Sequence, residues 1–312
     1  MREEIREVAA GVDDARILAH RPRKEHLDPF RPYHHLHEEE PGADGRIRRV
    51  NTIFLTNREC PFRCVMCDLW RHTLDEPTPE GAIPAQIRWA LERLPEADVV
   101  KLYNNGNFFD PQAIRPEEYA EITGLLDGFE RVIVENHPRI SGDRIFDFQE
   151  RIAGTLEIAL GVESVHPEVL PRLNKRVTLD EIAATARRFR ERGIDLRAFV
   201  LLNPPYLTDP AENHHWCLES VRFAFEHGFG AVAIIPVRTG NGIMEVLEAK
   251  GAYVQPTLSA LEAVFGDALA LGAGRVFADC WDLERFVGDP ATLPARRARL
   301  ERMNLEQRVL PR

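Results

Sequence analysis

The stretch NTIFLTNRECPFRCVMC, residues 51–67, runs from a β-branched apolar segment straight into three cysteines. Residues 51–56 have the composition of a buried strand. Cys60, Cys64 and Cys67 follow on the loop after it, a density of thiols that points to a metal. A closed tetrahedral site wants four ligands, and this spacing offers three. A zinc knuckle would have to recruit His72. A redox pair of Cys64 and Cys67 would begin a helix in a thioredoxin-like unit. An iron–sulfur cluster on three thiolates would leave one iron open to an outside ligand. Cys217, inside a helical pattern, and Cys280, near a later strand end, have no local spacing that recruits them and read as structural.

The strand-then-loop unit recurs along the chain. Strand candidates are 51–56, 97–103, 131–135, 156–163, 196–203 and 231–236, and helical periods fill 84–95, 115–129, 178–193 and 212–228. Thr178 and Glu181 form a capping-box pattern, and Gly193 and Gly228 stand where helix C-terminal glycines belong. Six strands each followed by a helix predict right-handed βαβ units and a parallel sheet, either a barrel-like (β/α) array or a doubly wound sheet. In both, reactive groups gather at the C-terminal ends of the strands. A seventh strand is expected at 275–286, running into a helix, and the tail RLERMNLEQRVLPR reads as polar and frayed.

The expected partition is 1–48 as an N-terminal helix and irregular arm, 49–260 as the barrel, and 261–312 as a C-terminal strand and helical extension packing on it. His34, His35 and His37 of the arm lack a nearby cysteine or paired carboxylate and read as surface. The chain has 312 residues with 44% hydrophobic content, enough for a sizeable core. Five cysteines and no signal-peptide pattern predict a reducing cytosol and exclude a disulfide framework. No apolar run reaches membrane-spanning length. A net charge of −10 argues against broad attraction to nucleic-acid phosphates. The arginine-rich segments 187–193 and 294–303 interleave acids and read as solvated helix faces.

A C-x3-C-x2-C motif on the loop after the first strand of a (β/α) array resembles the radical S-adenosylmethionine (SAM) superfamily. The resemblance implies a partial (β/α)6 TIM-like barrel with N- and C-terminal extensions and a [4Fe–4S] cluster on Cys60, Cys64 and Cys67. It also implies SAM chelated at the open iron and reductively cleaved to a 5′-deoxyadenosyl radical. Met66 stands where the superfamily often has an aromatic residue near the adenine, and its thioether still packs against a ring. The segment YNNGNFFD (103–110) lies where a Gly-Gly-Glu type segment often binds the SAM amino group, which carries that role to Asn105, Gly106 and Asn107, without the Glu. LGVESVHPEVLPRLNK is similar to the G-x-E-S…N-K stretch of the branch that includes the Elongator catalytic subunit and coproporphyrinogen dehydrogenases, so Glu163 and Ser164 are SAM-site candidates. Together with VEN and LLNPPYLT, these segments are most similar to the group containing the radical SAM enzyme of archaeosine formation.

Glu135, Asn203 and Arg238, at the ends of three further strands, are the expected catalytic residues facing the substrate, Arg238 through its forked donors. The resemblance further implies an electron donor of flavodoxin or ferredoxin type. The acidic balance and the missing RNA-binding domain favour a small-molecule substrate, with a nucleoside- or tRNA-modifying enzyme as the first alternative and a zinc-stabilised binding module as the second.

Overall fold

The computed structural model describes residues 11–311, so the part of the expected N-terminal helix that falls on residues 1–10 lies outside the described residues. The described part of the chain forms one eight-stranded sheet in chain order: β1 (His34–Pro41), β2 (Ile47–Phe54), β3 (Val99–Tyr103), β4 (Arg131–Asn136), β5 (Thr155–Glu163), β6 (Asp195–Leu202), β7 (Ala231–Pro236) and β8 (Arg275–Ala278). β1 runs antiparallel to β2, and every later neighbour is parallel. Parallel neighbours need crossovers, and helices supply them. α1 (Asp14–His20) precedes the sheet. The crossovers carry α2 (Ala82–Leu91), α3 (Tyr119–Leu125), α4 (Arg144–Gln149), α5 (Val169–Arg172), α6 (Leu179–Glu191), α7 (Pro210–Glu226), α8 (Ile243–Ala249) and α9 (Leu258–Ala270), and α10 (Leu293–Glu306) closes the chain. The capping box of Thr178 and Glu181 begins α6 with both of its hydrogen bonds formed.

The two faces of the sheet differ because strand side chains alternate. Val100, Leu102, Val134, Ile158, Leu160, Val200 and Ile234 point to the helix side and are fully buried with Ile83, Ile87, Ile182, Phe189 and Phe265. On the other face Phe54, Tyr103, Glu135, Phe199 and Ile235 are only half-buried. The sheet therefore curls around an accessible cup, the partial barrel that the family resemblance implies and that strand rhythm alone does not separate from a doubly wound sheet.

The floor of the cup is ionic. Lys101 of β3 pairs with Glu40 at 2.6 Å and Glu38 at 2.9 Å of β1. Arg197 of β6 pairs with Glu157 of β5 at 2.7 Å and with Glu40. Arg131 of β4 reaches Glu157 at 2.8 Å. Burial works against the charge on Glu40, but Arg197 and Lys101 hold its carboxyl well below the usual range. Removing one partner of such a set strands a buried charge, which is why these residues act as a unit.

Three features depart from the sequence expectations. Residues 34–41 fall in the stretch read as an irregular arm, yet they form β1, because Glu38 and Glu40 find their cations on distant strands. β2 begins at Ile47 rather than 51, with Arg49 pairing with Asp98 at 2.9 Å. The tail read as frayed is ordered as α10, which buries Leu300 and Met303. Among the described residues no helix is long and apolar enough to cross a membrane.

α10 also solves an edge problem. β8 ends the sheet, and an unpaired edge exposes ladder groups to other chains. The Gln307 amide accepts from Val276 N and donates to Val276 O, both at 2.8 Å, and the Asn304 amide does the same for Ala278 at 2.8 and 2.9 Å. Replacing both amides with alanine is expected to remove these four bonds and destabilise the fold by about 2–4 kcal/mol, at roughly 0.5–1 kcal/mol per bond. Thermal melts with light scattering should show a lower Tm and earlier association. A double variant that melts like the wild type would show that α10 does not protect the edge.

Candidate cofactor and substrate site

The three clustered cysteines lie on the loop between β2 and the short 3-10 turn Leu69–His72, at the C-terminal mouth of the cup. Their loop is fastened from several sides. The Asn241 amide, just after β7, donates to the carbonyls of Val65 at 2.8 Å and Cys67 at 3.1 Å, and its oxygen accepts from Met244 N at 2.9 Å. Asn174 donates to the Arg63 carbonyl at 2.7 Å, and Val65 N donates to Leu173 O at 2.9 Å. Within the loop Glu59 holds Arg21 at 2.7 Å, Lys24 at 2.8 Å and Arg63 at 3.1 Å. Met66 is half-buried and packs against the apolar core.

The loop after β3 presses against the cysteines from below. A Cβ on Gly106 would stand 2.8 Å from the Cβ of Cys60, so only glycine lets the two loops meet. Asn105 takes the left-handed conformation at φ 54°, its oxygen accepting from the Tyr33 hydroxyl at 2.8 Å. Asn104 and Asn107 are buried, and both polar atoms of each side-chain amide lack a hydrogen-bond partner among the described residues. Four orphaned atoms flanking one glycine are costly unless a ligand satisfies them.

Glu135 at the end of β4 is committed to this loop. Its Oε2 accepts from Asn104 N at 2.8 Å and Asn105 N at 2.9 Å. Burial pushes its carboxyl up to about 7, although those amides, that of Gly106 and the charge of Lys175 favour ionisation. A carboxyl raised on folding contributes stability that is fully present below its unfolded value near 4.5 and is lost as pH rises through about 7. The Tm of the metal-free wild type should therefore fall more steeply between pH 5 and pH 8 than that of Glu135→Gln. Parallel profiles would contradict this account.

Across the mouth, β5 ends in a bulge between Gly161 and Glu163 that turns Glu163 to φ 63°. Glu163 and Lys175 are both buried and pair at 2.6 Å. The pair lies over Gly161, where an added Cβ would overlap the carboxylate and the ammonium. Burial opposes the charge of Lys175, but Glu163, Cys64 and Cys60 hold it well above the usual lysine range. Ser164 is buried beside it, and its hydroxyl accepts from His166 N at 3.2 Å. His137 stacks on Phe62 of the cysteine loop, ring centroids 3.8 Å apart, and its Nε2 lies 3.1 Å from Lys175 O. Burial and the neighbouring ammonium push that imidazole down to about 3, so it is neutral.

The other expected substrate-facing residues have protein partners. Asn203, at φ 55°, donates to Val254 O at 3.1 Å. Arg238 donates to Asp279 at 2.8 Å and to Trp281 O at 2.6 Å, tying the ends of β7 and β8 together. Lys175, Asn104 and Asn174 are not singled out by the sequence reading. Asn174 and Lys175 carry a signal, the Asn-Lys pair that ends the GVES stretch. Asn104 becomes distinguishable only when loop packing shows which amides are spoken for.

Burial pushes the bare thiols up, to about 11 for Cys60 and about 12 for Cys64 and Cys67, while Lys175 pulls the first two back. Half-buried thiols beside a fixed cation suit a metal group that displaces their protons. Among the described residues no three His, Cys, Asp or Glu side chains converge as the shell of one metal ion. Three thiols on one loop suit an iron–sulfur cluster, whose usual protein ligands are cysteine thiolates. With orphaned amides alongside, the residues present fit a cluster and a polar ligand next to it.

Comparison with known proteins gives the same direction. The Radical SAM superfamily profile matches residues 54–215. An uncharacterised protein of Methanocaldococcus jannaschii is 25% identical over 231 residues, 69% of this chain and 63% of that protein. Archaeosine synthase subunit beta of Methanosarcina acetivorans is 23% identical over 251 residues, 73% of this chain and 69% of that one. The chain thus spans under two thirds of the length of the first of these relatives. An N-terminally truncated Elp3 of Methanocaldococcus infernus superposes with a TM-score of 0.54 at 13% identity, covering 72% of this chain and 60% of that one, a likeness of fold.

Proposed function

This chain belongs to the radical SAM superfamily, and from that membership we propose that it is an enzyme abstracting hydrogen from a small-molecule substrate. A [4Fe–4S] cluster with SAM bound supplies, in this family, the one-electron cleavage that starts such chemistry. Cys60, Cys64 and Cys67 would hold the cluster. Asn105, Gly106, Asn107, Glu163, Ser164 and Met66 would border SAM, and the orphaned amides of Asn104 and Asn107 would find partners there. Lys175 would offset negative charge on the thiolate side. Glu135 would fix the β3 loop through its backbone amides, and Asn203 and Arg238 would shape the substrate side of the mouth. The reading carries with it a reducing cytoplasmic setting and a flavodoxin- or ferredoxin-type electron donor.

The observation that carries the proposal is the set of three thiols on one tightly fastened loop beside four unsatisfied amide atoms. The test is anaerobic reconstitution with iron and sulfide, followed by dithionite and SAM and mass analysis for 5′-deoxyadenosine. About one zinc and no sulfide, or no nucleoside product, would overturn it. Similarity to archaeosine synthase subunit beta favours a second reading, a nucleoside- or tRNA-modifying enzyme. That reading predicts tRNA binding that weakens steeply with salt, whereas the net charge of −10 favours the small molecule.

A further inference from the structure

At the seam between β1 and β8, aromatic rings form a continuous line from the rim into the cup. Trp281, three residues past β8, meets His34 at 5.7 Å and Phe54 at 6.1 Å, both edge-on. Tyr33 lies 5.6 Å from Phe54 and stacks on His72 at 4.7 Å. Deeper, Phe54 meets Tyr103 at 6.0 Å, and Tyr103 meets Phe199 at 6.2 Å. An edge-on contact covers at most one face of a ring, and a face left open can take another ring in a stack.

The exposure at the rim is built. Trp281 is 52% exposed although its backbone is pinned on every side. Its N–H donates to Asp279 Oδ1 at 2.9 Å and its carbonyl accepts from Arg238 at 2.6 Å. The preceding carbonyl, of Cys280, accepts from Arg297 at 2.8 Å, and Asp282 follows in the left-handed conformation at φ 50°. A backbone held this firmly has already lost the freedom that binding would otherwise remove from it. Its indole N–H and the Tyr103 hydroxyl make no hydrogen bond among the described residues, so each remains a donor for something in the cup. The ionic floor is internally paired and offers no net charge to recruit a charged group.

We propose that Trp281, flanked by His34 and Phe54, is a stacking platform for a neutral planar heteroaromatic ring carried by the substrate. The platform lies at the β1–β8 seam, whereas the Glu163–Lys175 pair stands by the end of β5, so the substrate ring and that part of the SAM site come from different strands of the mouth. The inference rests on the hydrogen-abstraction reading and narrows its substrate class. The overall negative charge favours a free ring compound over a base within a polynucleotide.

The test uses the reconstituted holoenzyme saturated with SAM. Equilibrium dialysis measures binding of adenosine, guanosine, cytidine and uridine, of free ribose as the ringless control, and of short oligoribonucleotides carrying the same bases. At least one nucleoside should bind saturably where ribose does not. Trp281→Leu should weaken that binding about tenfold and Trp281→Phe should restore it to within about threefold, the range a lost base–aromatic stack spans. Formation of 5′-deoxyadenosine from SAM with dithionite should be unchanged in both variants. Binding of no ring compound better than ribose, equal binding by Trp281→Leu, or competition of the nucleosides with SAM would each overturn the platform. Binding of oligoribonucleotides alone would support stacking and overturn the small-molecule reading. Absence of 5′-deoxyadenosine in the wild type would sink the hydrogen-abstraction reading while leaving the binding comparison to decide the platform.

Discussion

Cys64→Ala is expected to abolish 5′-deoxyadenosine formation and to lose the iron and sulfide of the reconstituted protein, while the metal-free fold melts within a few degrees of the wild type. The fold survives because the loop does not depend on its metal for position. Asn241 and Asn174 grip its carbonyls, Leu173 receives an N–H from it, and Gly106 supports Cys60 from below. The chemistry does not survive, because a three-thiolate site left with two has no further thiol on the loop to substitute. Cys280→Ala is the matched control. That thiol lies past β8, donates weakly to Ala278 O at 3.5 Å, and belongs to a different part of the structure. Full SAM cleavage by Cys64→Ala lacking a cluster would remove the cysteine loop from the mechanism.

Lys175→Met should be the most destabilising single change at the mouth. It leaves Glu163, buried and 2.6 Å from where the ammonium stood, facing an apolar side chain. Breaking a buried pair from one side costs about 3–5 kcal/mol. For a chain of this size that corresponds to a fall in Tm on the order of 10 °C. Adding Glu163→Gln removes the stranded charge, so the double variant should recover most of the lost stability in thermal melts. SAM affinity should not recover with it, because both groups proposed to border the cofactors are then altered. A double variant no more stable than Lys175→Met would mean that the pair is not what the single change breaks.

The elements legible in the sequence are those whose own residues determine them. β3 to β7 are short β-branched runs, and their burial on the helix face follows from alternation. The cysteine triplet is legible for a similar reason, since its spacing is local. β1 is not legible, because HHLHEEEP has poor strand character and is held by partners far along the chain: Glu38 waits for Lys101, and Glu40 for Arg197. The site divides in the same way. That the segment NNGN matters can be read from its glycine and amides, but which amides are orphaned depends on the left-handed turn at Asn105. A glutamate or arginine at a strand end reads as free to meet a ligand. The backbone amides that Glu135 accepts from and the Asp279 that Arg238 reaches are visible only once the strands are side by side.

The seam beside Trp281 has a mechanical consequence. Between β8 and β1 the structure is joined by side chains: the Asn304 and Gln307 amides grip one margin, and Arg275 reaches across to Pro41 O at 3.1 Å. Everywhere else the sheet is stitched by peptide ladders, which slide only by breaking a row of hydrogen bonds together. Arginine and amide side chains swivel about several bonds and let go one contact at a time. The girth of the cup is therefore rigid around most of its circumference and compliant at one gap, and that gap opens next to the aromatic rim.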